Sequence, residues 1–146
     1  MNNSFKAEFP SLPCNESFAR MIAAGFVMEL DPTCSEVAEI KTAISEAVTN
    51  AIIHGYGHNE GIVYIEGKCH GREITFIITD RGKGINDIGL ARTPLYTGDK
   101  DSERSGMGFT IMEAFMDKVE VDSCEGQGTK ITLTKNLIKD VTTDDK

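Results

Sequence analysis

The chain has 146 residues, of which 40% are hydrophobic and 26% are charged, values that suit a single globular domain with its own core. Its formal net charge of −8 argues against direct binding of nucleic acid, because phosphate backbones are bound through clustered lysine and arginine. The longest apolar run, residues 21–28, is too short to span a bilayer, and the four cysteines form no CxxC pair. We therefore expect a soluble cytoplasmic protein with reduced thiols and no membrane partner.

The first half of the chain predicts one strand followed by two helices. Residues 5–9 alternate in polarity, as in a short edge strand, and a helix with a good N-cap begins near Asn15. A capping-box pattern at residues 33–36 begins a second helix, which runs to His54. The apolar residues that the first helix is expected to bury are Phe18, Met21, Ile22, Phe26 and Leu30.

The second half predicts two hairpins and one more helix. Strands are expected at residues 62–69 and 73–80, a helix at residues 106–116, and a final hairpin at residues 119–134. This order of elements predicts an α+β fold. We expect a two-layer sandwich in which the helices pack on one face of a mixed, mostly antiparallel sheet.

Residues 81–105 differ in character from the rest of the chain. They contain four glycines and a charged run at residues 99–104. An irregular segment of this length inside a compact domain is usually a functional loop, so we predict a lid at about residues 81–105. The single domain is expected to span residues 1–138, with a disordered tail at residues 139–146.

Three polar side chains, Glu46, Asn50 and His54, follow one another along the second predicted helix at intervals of four residues. This spacing places them on one face, beside an apolar face that should pack inward. Polar groups that are cut off from water need a hydrogen-bonding partner or a ligand. The helix therefore predicts a ligand site along its polar stripe. The neighbouring apolar residues are Ile40, Ile44, Val48 and Ile52.

Two glycine motifs follow the stripe in the sequence. Asp80, Gly82 and Gly84 form a DxGxG pattern at the end of a predicted strand, where glycines permit close approach of a flat ligand. A GxGF pattern lies at the start of the last predicted helix, where free backbone N–H groups favour an anion. Taken singly, each pattern also fits an ordinary turn or hinge, and neither is a known phosphate loop or dinucleotide fingerprint. The residues around the second pattern are Ser105, Gly106, Met107, Gly108 and Phe109.

The stripe, DxGxG and GxGF together resemble the N, G1 and G2 boxes of a superfamily of ATPases and kinases. That superfamily includes gyrase, Hsp90, histidine kinases and MutL, and the resemblance covers roughly residues 15–135. It implies a Bergerat-type ATP-binding fold with ATP or ADP and Mg²⁺ as ligands. A stand-alone domain of this size resembles the bacterial serine kinases that double as anti-sigma factors. Residues 46–56 and 103–113 are closely similar to the sporulation anti-sigma F factors in that group.

The resemblance implies a role for each polar group. Glu46 would be the general base that takes the proton from an acceptor serine, and Asn50 would be the Mg²⁺ ligand. Asp80 would accept a hydrogen bond from the adenine amino group, with support from Thr129. From the residues themselves, and not from the resemblance, His54 is interpreted as a contact at the helix C-terminus, since Gly55 and Gly57 argue against a metal pair with His58. The residues that would shape the base pocket or hold the phosphates are Gly82, Gly84, Arg104, Ser105, Gly106, Met107, Gly108 and Phe109, although Arg104 equally suits a solvated surface.

The resemblance also implies partners. A member of this family binds sigma factor F and holds it inactive, phosphorylates a serine of its anti-anti-sigma factor, and acts as a homodimer. Glu16 and Arg20 match first-helix positions that the family uses for protein contact, and from the sequence alone they also suit a charged helix surface.

Three alternatives remain at this point. One is the general-stress anti-sigma kinase, which differs in its partners and not in its chemistry. Another is a non-catalytic module that uses ATP only to control sigma-factor binding, against which Glu46 argues, since a pure binder needs no base. A metabolic enzyme with a different nucleotide site is the third, and the order of the three boxes argues against it.

Overall fold

The computed structural model describes residues 1–57, 59–85 and 105–138, with side chains from Gly108 onward in the last of these ranges. One sheet and one helical layer make up this part of the chain. The strands are β1 (Asn2–Pro10), β2 (Ile62–His70), β3 (Glu73–Asp80), β4 (Lys118–Cys124) and β5 (Gly128–Asn136). The helices are α1 (Asn15–Val27), α2 (Cys34–Thr49) and α3 (Ser105–Phe115).

The sheet has the strand order β1-β2-β3-β5-β4, and all four of its described pairings are antiparallel. The predicted two-layer α+β fold is therefore confirmed, but the mixed sheet is corrected to an antiparallel one. β1 is an edge strand, as predicted, although it has 9 residues and is longer than expected. Alternate residues of each strand face the helices, so that Ile74, Phe76 and Ile78 of β3 lie in the core.

Ile22, Phe26 and Leu30 lie in or against the core as predicted, so the predicted face of helix α1 is buried in part. The fully buried residues of α1 are the small side chains Ala19, Ala23 and Val27, which repeat every four residues and pack toward the core. Phe18 and Met21, predicted to be inside, are 47% and 68% exposed. The predicted N-cap is also wrong. Cys14 occupies that position without a side-chain cap, and the Asn15 amide instead donates to the Pro10 carbonyl oxygen at 2.8 Å.

Helix α2 begins with the predicted capping box. The Glu36 N–H donates to Thr33 Oγ1 at 3.1 Å, and the Thr33 N–H donates to Glu36 Oε1 at 2.9 Å. The other carboxylate oxygen of Glu36 accepts the Ile138 N–H at 2.8 Å. One buried carboxylate thus caps α2 and also holds the chain where it leaves β5.

The sequence predicted that α2 continues as a regular helix to His54, but the winding changes after Thr49. A π turn spans Asn50–Gly55, and the Tyr56 N–H closes it by donating to the Ala51 carbonyl oxygen at 3.1 Å. Such turns occur mostly as single insertions in α-helices, often at functional sites. The regular four-residue spacing of the polar stripe therefore holds from Glu46 to Asn50 and is altered beyond it.

Two predictions lie wholly or mainly outside the described residues. Of the proposed lid, only residues 81–85 and Ser105 are described, and none of the tail at residues 139–146 is described. Both stay predictions. Within the described ranges, no helix is long and apolar enough to cross a membrane.

Candidate functional site

A narrow cleft separates the end of α2 from the beginning of α3. Glu46 and Asn50, the first two members of the polar stripe, lie along it together with His54. Glu46 is only 6% exposed, whereas Asn50 and His54 are half-buried. The remaining lining residues are Thr49, Gly108, Phe109 and Met112. The structure thus brings the stripe and the second glycine motif together.

Gly108 brings the backbone of α3 close to Glu46. A Cβ atom at this position would lie 3.4 Å from Glu46 Oε2, so a larger side chain would press on the carboxylate. Phe109, the next residue, is buried in the core. At the other end of α3, Lys135 Nζ donates to the Phe115 carbonyl oxygen at 2.7 Å and lies 3.6 Å from Glu39 Oε1. The glycine-rich start of α3 is therefore held at a defined distance from α2.

Asp80 is the last residue of β3, and its side chain lies on the same, core-facing side of the strand as Ile78. Its side chain is 3% exposed, and this burial raises the pKa of the carboxyl from 3.8 to about 6. Hydrogen bonds from the backbone N–H groups of Gly82 and Thr129 act in the opposite direction and favour the ionised form. A buried carboxylate that is stabilised by few groups is well suited to accept a hydrogen bond from a ligand.

The chain after Asp80 folds against the π turn. The Gly82 N–H donates to Asp80 Oδ1 at 2.9 Å, and the Lys83 N–H donates to the Gly55 carbonyl oxygen at 2.9 Å. The two glycines make this contact possible, because a Cβ at Gly82 would overlap the Gly55 carbonyl and a Cβ at Gly55 would lie 2.6 Å from Asp80 Oδ1. Gly84 has φ +77° and packs against the Cys124 carbonyl. DxGxG therefore lies against the end of the stripe.

Thr129 lies directly opposite Asp80 in the pairing of β3 with β5 and is buried. Its hydroxyl is 2.8 Å from Ser123 Oγ, which also accepts the Ile85 N–H at 2.8 Å. Thr129 therefore reaches Asp80 through its backbone N–H, while its side chain pairs with the Ser123 hydroxyl.

The turn between β4 and β5 offers a stability prediction. Gly128 has φ +101°, and a Cβ there would overlap the Asp80 carbonyl. Gly128→Ala is therefore expected to lower the free energy of unfolding by at least about 2 kcal/mol. Gly25→Ala is the matched control, since Gly25 lies inside α1 with open space around it and alanine should stabilise the helix by about 0.5–1 kcal/mol. Urea denaturation of both variants checks this, and equal effects would contradict it.

Glu16 and Arg20 lie on α1 beside a second opening, a polar groove between α1 and α2. Glu16 accepts a hydrogen bond from Ser45 Oγ of α2, and Arg20 Nε lies 3.5 Å from Glu16 Oε1. Glu46 lines this groove as well as the cleft between α2 and α3. The other groove-lining residues are Arg20, Ala38, Lys41, Thr42 and Ser45.

Some predicted residues are not placed by the structure. Arg104 lies outside the described residues, and only the backbone of Ser105, Gly106 and Met107 is described, as the first residues of α3. Conversely, sequence reasoning missed Gly55 and the Ser123 hydroxyl. The sequence offered one signal for Gly55, its place directly after the polar stripe, and none for Ser123.

The donor set restricts what metal the site could hold. No group of three or more His, Cys, Asp or Glu side chains that could bind a metal ion occurs among residues 1–57, 59–85 and 105–138. Asn50, which lines the cleft, has a single amide oxygen to offer a metal ion. This fits Mg²⁺, which keeps several waters and binds through few protein ligands when substrate phosphates complete its shell.

Comparison with known proteins agrees with this arrangement. Residues 9–135 match the family described as histidine kinase-like ATPase domain. An anti-sigma F factor of Clostridium kluyveri is 54% identical over 134 residues, which are 92% of this chain and 94% of that protein. The anti-sigma F factor of Bacillus subtilis is 54% identical over 140 residues, 95% of this chain and 96% of that protein. The chain belongs to the anti-sigma F factor family.

Solved structures agree on the fold of this anti-sigma F family member. The crystal structure of the RsbU and RsbW domains of a Mycobacterium tuberculosis protein gives a TM-score of 0.68 at 21% identity, covering 94% of this chain and 33% of that one. The catalytic domain of histidine kinase ThkA gives a TM-score of 0.56 at 15% identity, covering 91% and 96%. At these identities the likeness concerns the fold, and it agrees with the two-layer sandwich expected from the sequence.

Proposed function

We propose that this anti-sigma F family member is an ATP-dependent protein serine kinase that also binds and inhibits sigma factor F. In this proposal it transfers phosphate from ATP to a serine of an anti-anti-sigma factor. The observation that carries the kinase assignment is the position of Glu46, which borders both the cleft with Asn50 and Gly108 and the groove between α1 and α2. Nucleotide phosphates in the cleft and an acceptor hydroxyl in the groove would then meet at one carboxylate.

Glu46 would act as the general base at this meeting point. A serine hydroxyl that enters by the groove could donate its proton to the carboxylate as it attacks, and a positioned base typically contributes about 10²–10⁴-fold to the rate. The burial of Glu46 excludes bulk water from the proton transfer. Phosphoryl transfer otherwise needs positioning and neutralisation of charge, which backbone N–H groups at the start of α3 would provide.

Asn50 would contribute to Mg²⁺ binding. The cation, when bound with the nucleotide, supplies positive charge against the phosphate oxygens. Asn50 lies one helical turn from Glu46 on the same cleft, so its amide oxygen would orient the phosphates toward the base. ADP would occupy the same place after transfer.

Asp80 would recognise the adenine base. An ionised carboxylate accepts a hydrogen bond from the amino group of adenine, whereas guanine presents a carbonyl oxygen at that position. Gly82 and Gly84 shape the backbone beside the carboxylate, and Thr129 lies across from it on β5. This arrangement supports selection of ATP over GTP.

The raised pKa of Asp80 leads to a pH prediction. The base amino group requires the ionised carboxylate, which is lost as the pH falls below about 6. ATP affinity is therefore expected to be constant from pH 7 to 8 and to fall below pH 6, approaching about tenfold per pH unit. Calorimetric titrations from pH 5 to 8 measure this.

The control for the pH prediction is Asp80→Asn, measured over the same range. ATP phosphates also titrate near pH 6, and that contribution is common to both proteins. Only the difference between the two curves reports on Asp80. Parallel curves for wild type and Asp80→Asn would contradict the assignment of the carboxylate.

Glu16 and Arg20 would contribute to partner binding. They lie at the groove that leads to Glu46, and the Ser45–Glu16 hydrogen bond joins the two helices that form it. An incoming protein that contacts α1 would therefore place its acceptor serine next to the base. We further propose that the protein acts as a homodimer in the cytoplasm.

The direct experiment is phosphorylation with radiolabelled ATP. Purified protein is incubated with Mg²⁺, ATP and the anti-anti-sigma factor, and binding of sigma factor F is measured in parallel by co-purification. Labelled phosphoserine together with sigma-factor binding is the expected result. Binding of sigma factor without any labelling would favour a non-catalytic ATP-dependent module, and labelling of the general-stress partner alone would favour that kinase.

A further inference from the structure

The loop that follows Asp80 is held through three successive backbone N–H groups. The Arg81 N–H donates to the Tyr56 hydroxyl oxygen at 2.7 Å, the Gly82 N–H donates to Asp80 Oδ1, and the Lys83 N–H donates to the Gly55 carbonyl oxygen. The first and third acceptors belong to adjacent residues at the end of the π turn. The conformation of this loop is therefore set by the segment that ends the polar stripe.

The Tyr56 hydroxyl has a defined direction. It donates its proton to the Ile62 carbonyl oxygen at 2.5 Å, so a lone pair of the same oxygen is left to accept the Arg81 N–H. This one oxygen ties together the π turn, the first residue of β2 and the first residue after β3. Removal of the hydroxyl would break both links at once.

The ring of Tyr56 lies in a space that Gly61 leaves open. A Cβ atom at Gly61 would overlap the Tyr56 ring, so any larger residue there would displace the ring. The φ of Gly61 is not positive, and alanine is therefore excluded by space and not by backbone conformation. Gly61 offers a way to move the hydroxyl without removing it.

We propose that Tyr56 is a positioning residue for base recognition. Its hydroxyl sets the orientation of Arg81 and Gly82, and the Gly82 N–H in turn orients the Asp80 carboxylate toward the base. This inference rests on the proposed nucleotide site. It assigns to Tyr56 an effect on which base is bound, without contact between Tyr56 and the reacting phosphate.

Base discrimination separates this role from a merely structural one. If Tyr56 orients Asp80, its loss weakens the contact that adenine makes and guanine cannot make. If Tyr56 only supports the fold, ATP and GTP lose affinity by the same factor. The ratio of the two affinities is therefore the decisive measurement.

The test compares Tyr56→Phe with wild type in calorimetric titrations with Mg·ATP and Mg·GTP. We expect ATP affinity to fall about threefold to tenfold, as for loss of one hydrogen bond, with little change for GTP. The single-turnover rate at saturating ATP should stay at the wild-type value, since Glu46 and Asn50 are untouched. Gly61→Ala, which displaces the Tyr56 ring, should also lower the ratio of ATP affinity to GTP affinity.

Tyr64→Phe is the matched control, because Tyr64 lies on the open face of the sheet under the Arg81 guanidinium and phenylalanine keeps that ring contact. The ratio of ATP affinity to GTP affinity in Tyr64→Phe should equal that of the wild-type protein. The inference would be overturned if the ratio of ATP affinity to GTP affinity stayed at the wild-type value in both Tyr56→Phe and Gly61→Ala, which includes the case of equal losses for the two nucleotides. Failure of the wild-type protein to bind ATP would instead overturn the proposed function on which it rests.

Discussion

Replacing Glu46 by glutamine is expected to slow phosphate transfer from ATP to the anti-anti-sigma factor by about 10²–10⁴-fold. Glutamine keeps the size of the side chain and its ability to form hydrogen bonds, but it cannot take the proton of the acceptor serine. ATP binding and sigma-factor binding should remain near wild type, since the change removes only the base. A single-turnover phosphorylation assay beside a sigma-factor pull-down measures both properties.

Glu39→Gln is the control for this experiment. Glu39 lies two turns earlier on the same helix and pairs with Lys135 at 3.6 Å, away from the cleft. The Glu39→Gln variant should transfer phosphate at a rate within about twofold of wild type, because the substitution removes only a partly exposed ion pair. If Glu46→Gln transfers phosphate as fast as wild type, the carboxylate is not the base and the kinase mechanism needs another one.

Replacing Asp80 by asparagine is expected to weaken ATP binding by about 100-fold. The change removes a charge-assisted hydrogen bond and turns a donor toward the amino group of adenine, and together these cost about 3 kcal/mol. The free protein should not lose stability at neutral pH, because the buried carboxylate is already disfavoured there, as its raised pKa indicates. Titration calorimetry and thermal denaturation measure the two effects.

The matched control is Asp122→Asn, the same change at an exposed position of β4 opposite Lys130. It should bind ATP as wild type does. If Asp80→Asn also keeps wild-type affinity, the base is recognised elsewhere. A large loss of thermal stability in Asp80→Asn would show instead that the carboxylate serves the fold.

The parts of the fold that depend on neighbouring residues could be predicted from the sequence. The capping box at Thr33 and Glu36 and the end of β3 at Asp80 both lie where the local pattern placed them. Alternation along β3 also explains why Asp80 is buried, since it continues the core-facing phase of the strand. These features need no knowledge of distant contacts.

The face of α1 could be predicted only in part. The hydrophobic pattern correctly predicts that Ile22, Phe26 and Leu30 pack inward, but it also favours burial of Phe18 and Met21, which are exposed. The fully buried residues of α1 are instead the small side chains Ala19, Ala23 and Val27. Phe18 instead packs its ring edge-on against Phe9 at the rim, with ring centroids 5.8 Å apart. Such a choice depends on the distance between helices, which the sequence of one helix does not contain.

The candidate site was predictable as a set of motifs but not as a geometry. The sequence pointed to Glu46, Asn50 and Asp80, and the structure places the first two on one cleft. The sequence could not show that Gly55 and Tyr56 hold the loop after Asp80, because those contacts join residues about 25 positions apart. The π turn itself also depends on tertiary contacts, since no residue in it has a preference for that winding over the α-helix.

The π turn has a consequence for insertions and deletions. A π turn holds one residue more than the α-helical turn that it replaces. Deleting one residue within Asn50–Gly55 would therefore let the segment rewind as a regular α-helix, and the residues that follow would keep nearly the same orientation relative to α2. A deletion inside α2 itself would instead rotate everything that follows by about 100°. In alignments of anti-sigma F factors, a one-residue gap is accordingly expected to be tolerated better within residues 50–55 than within α2.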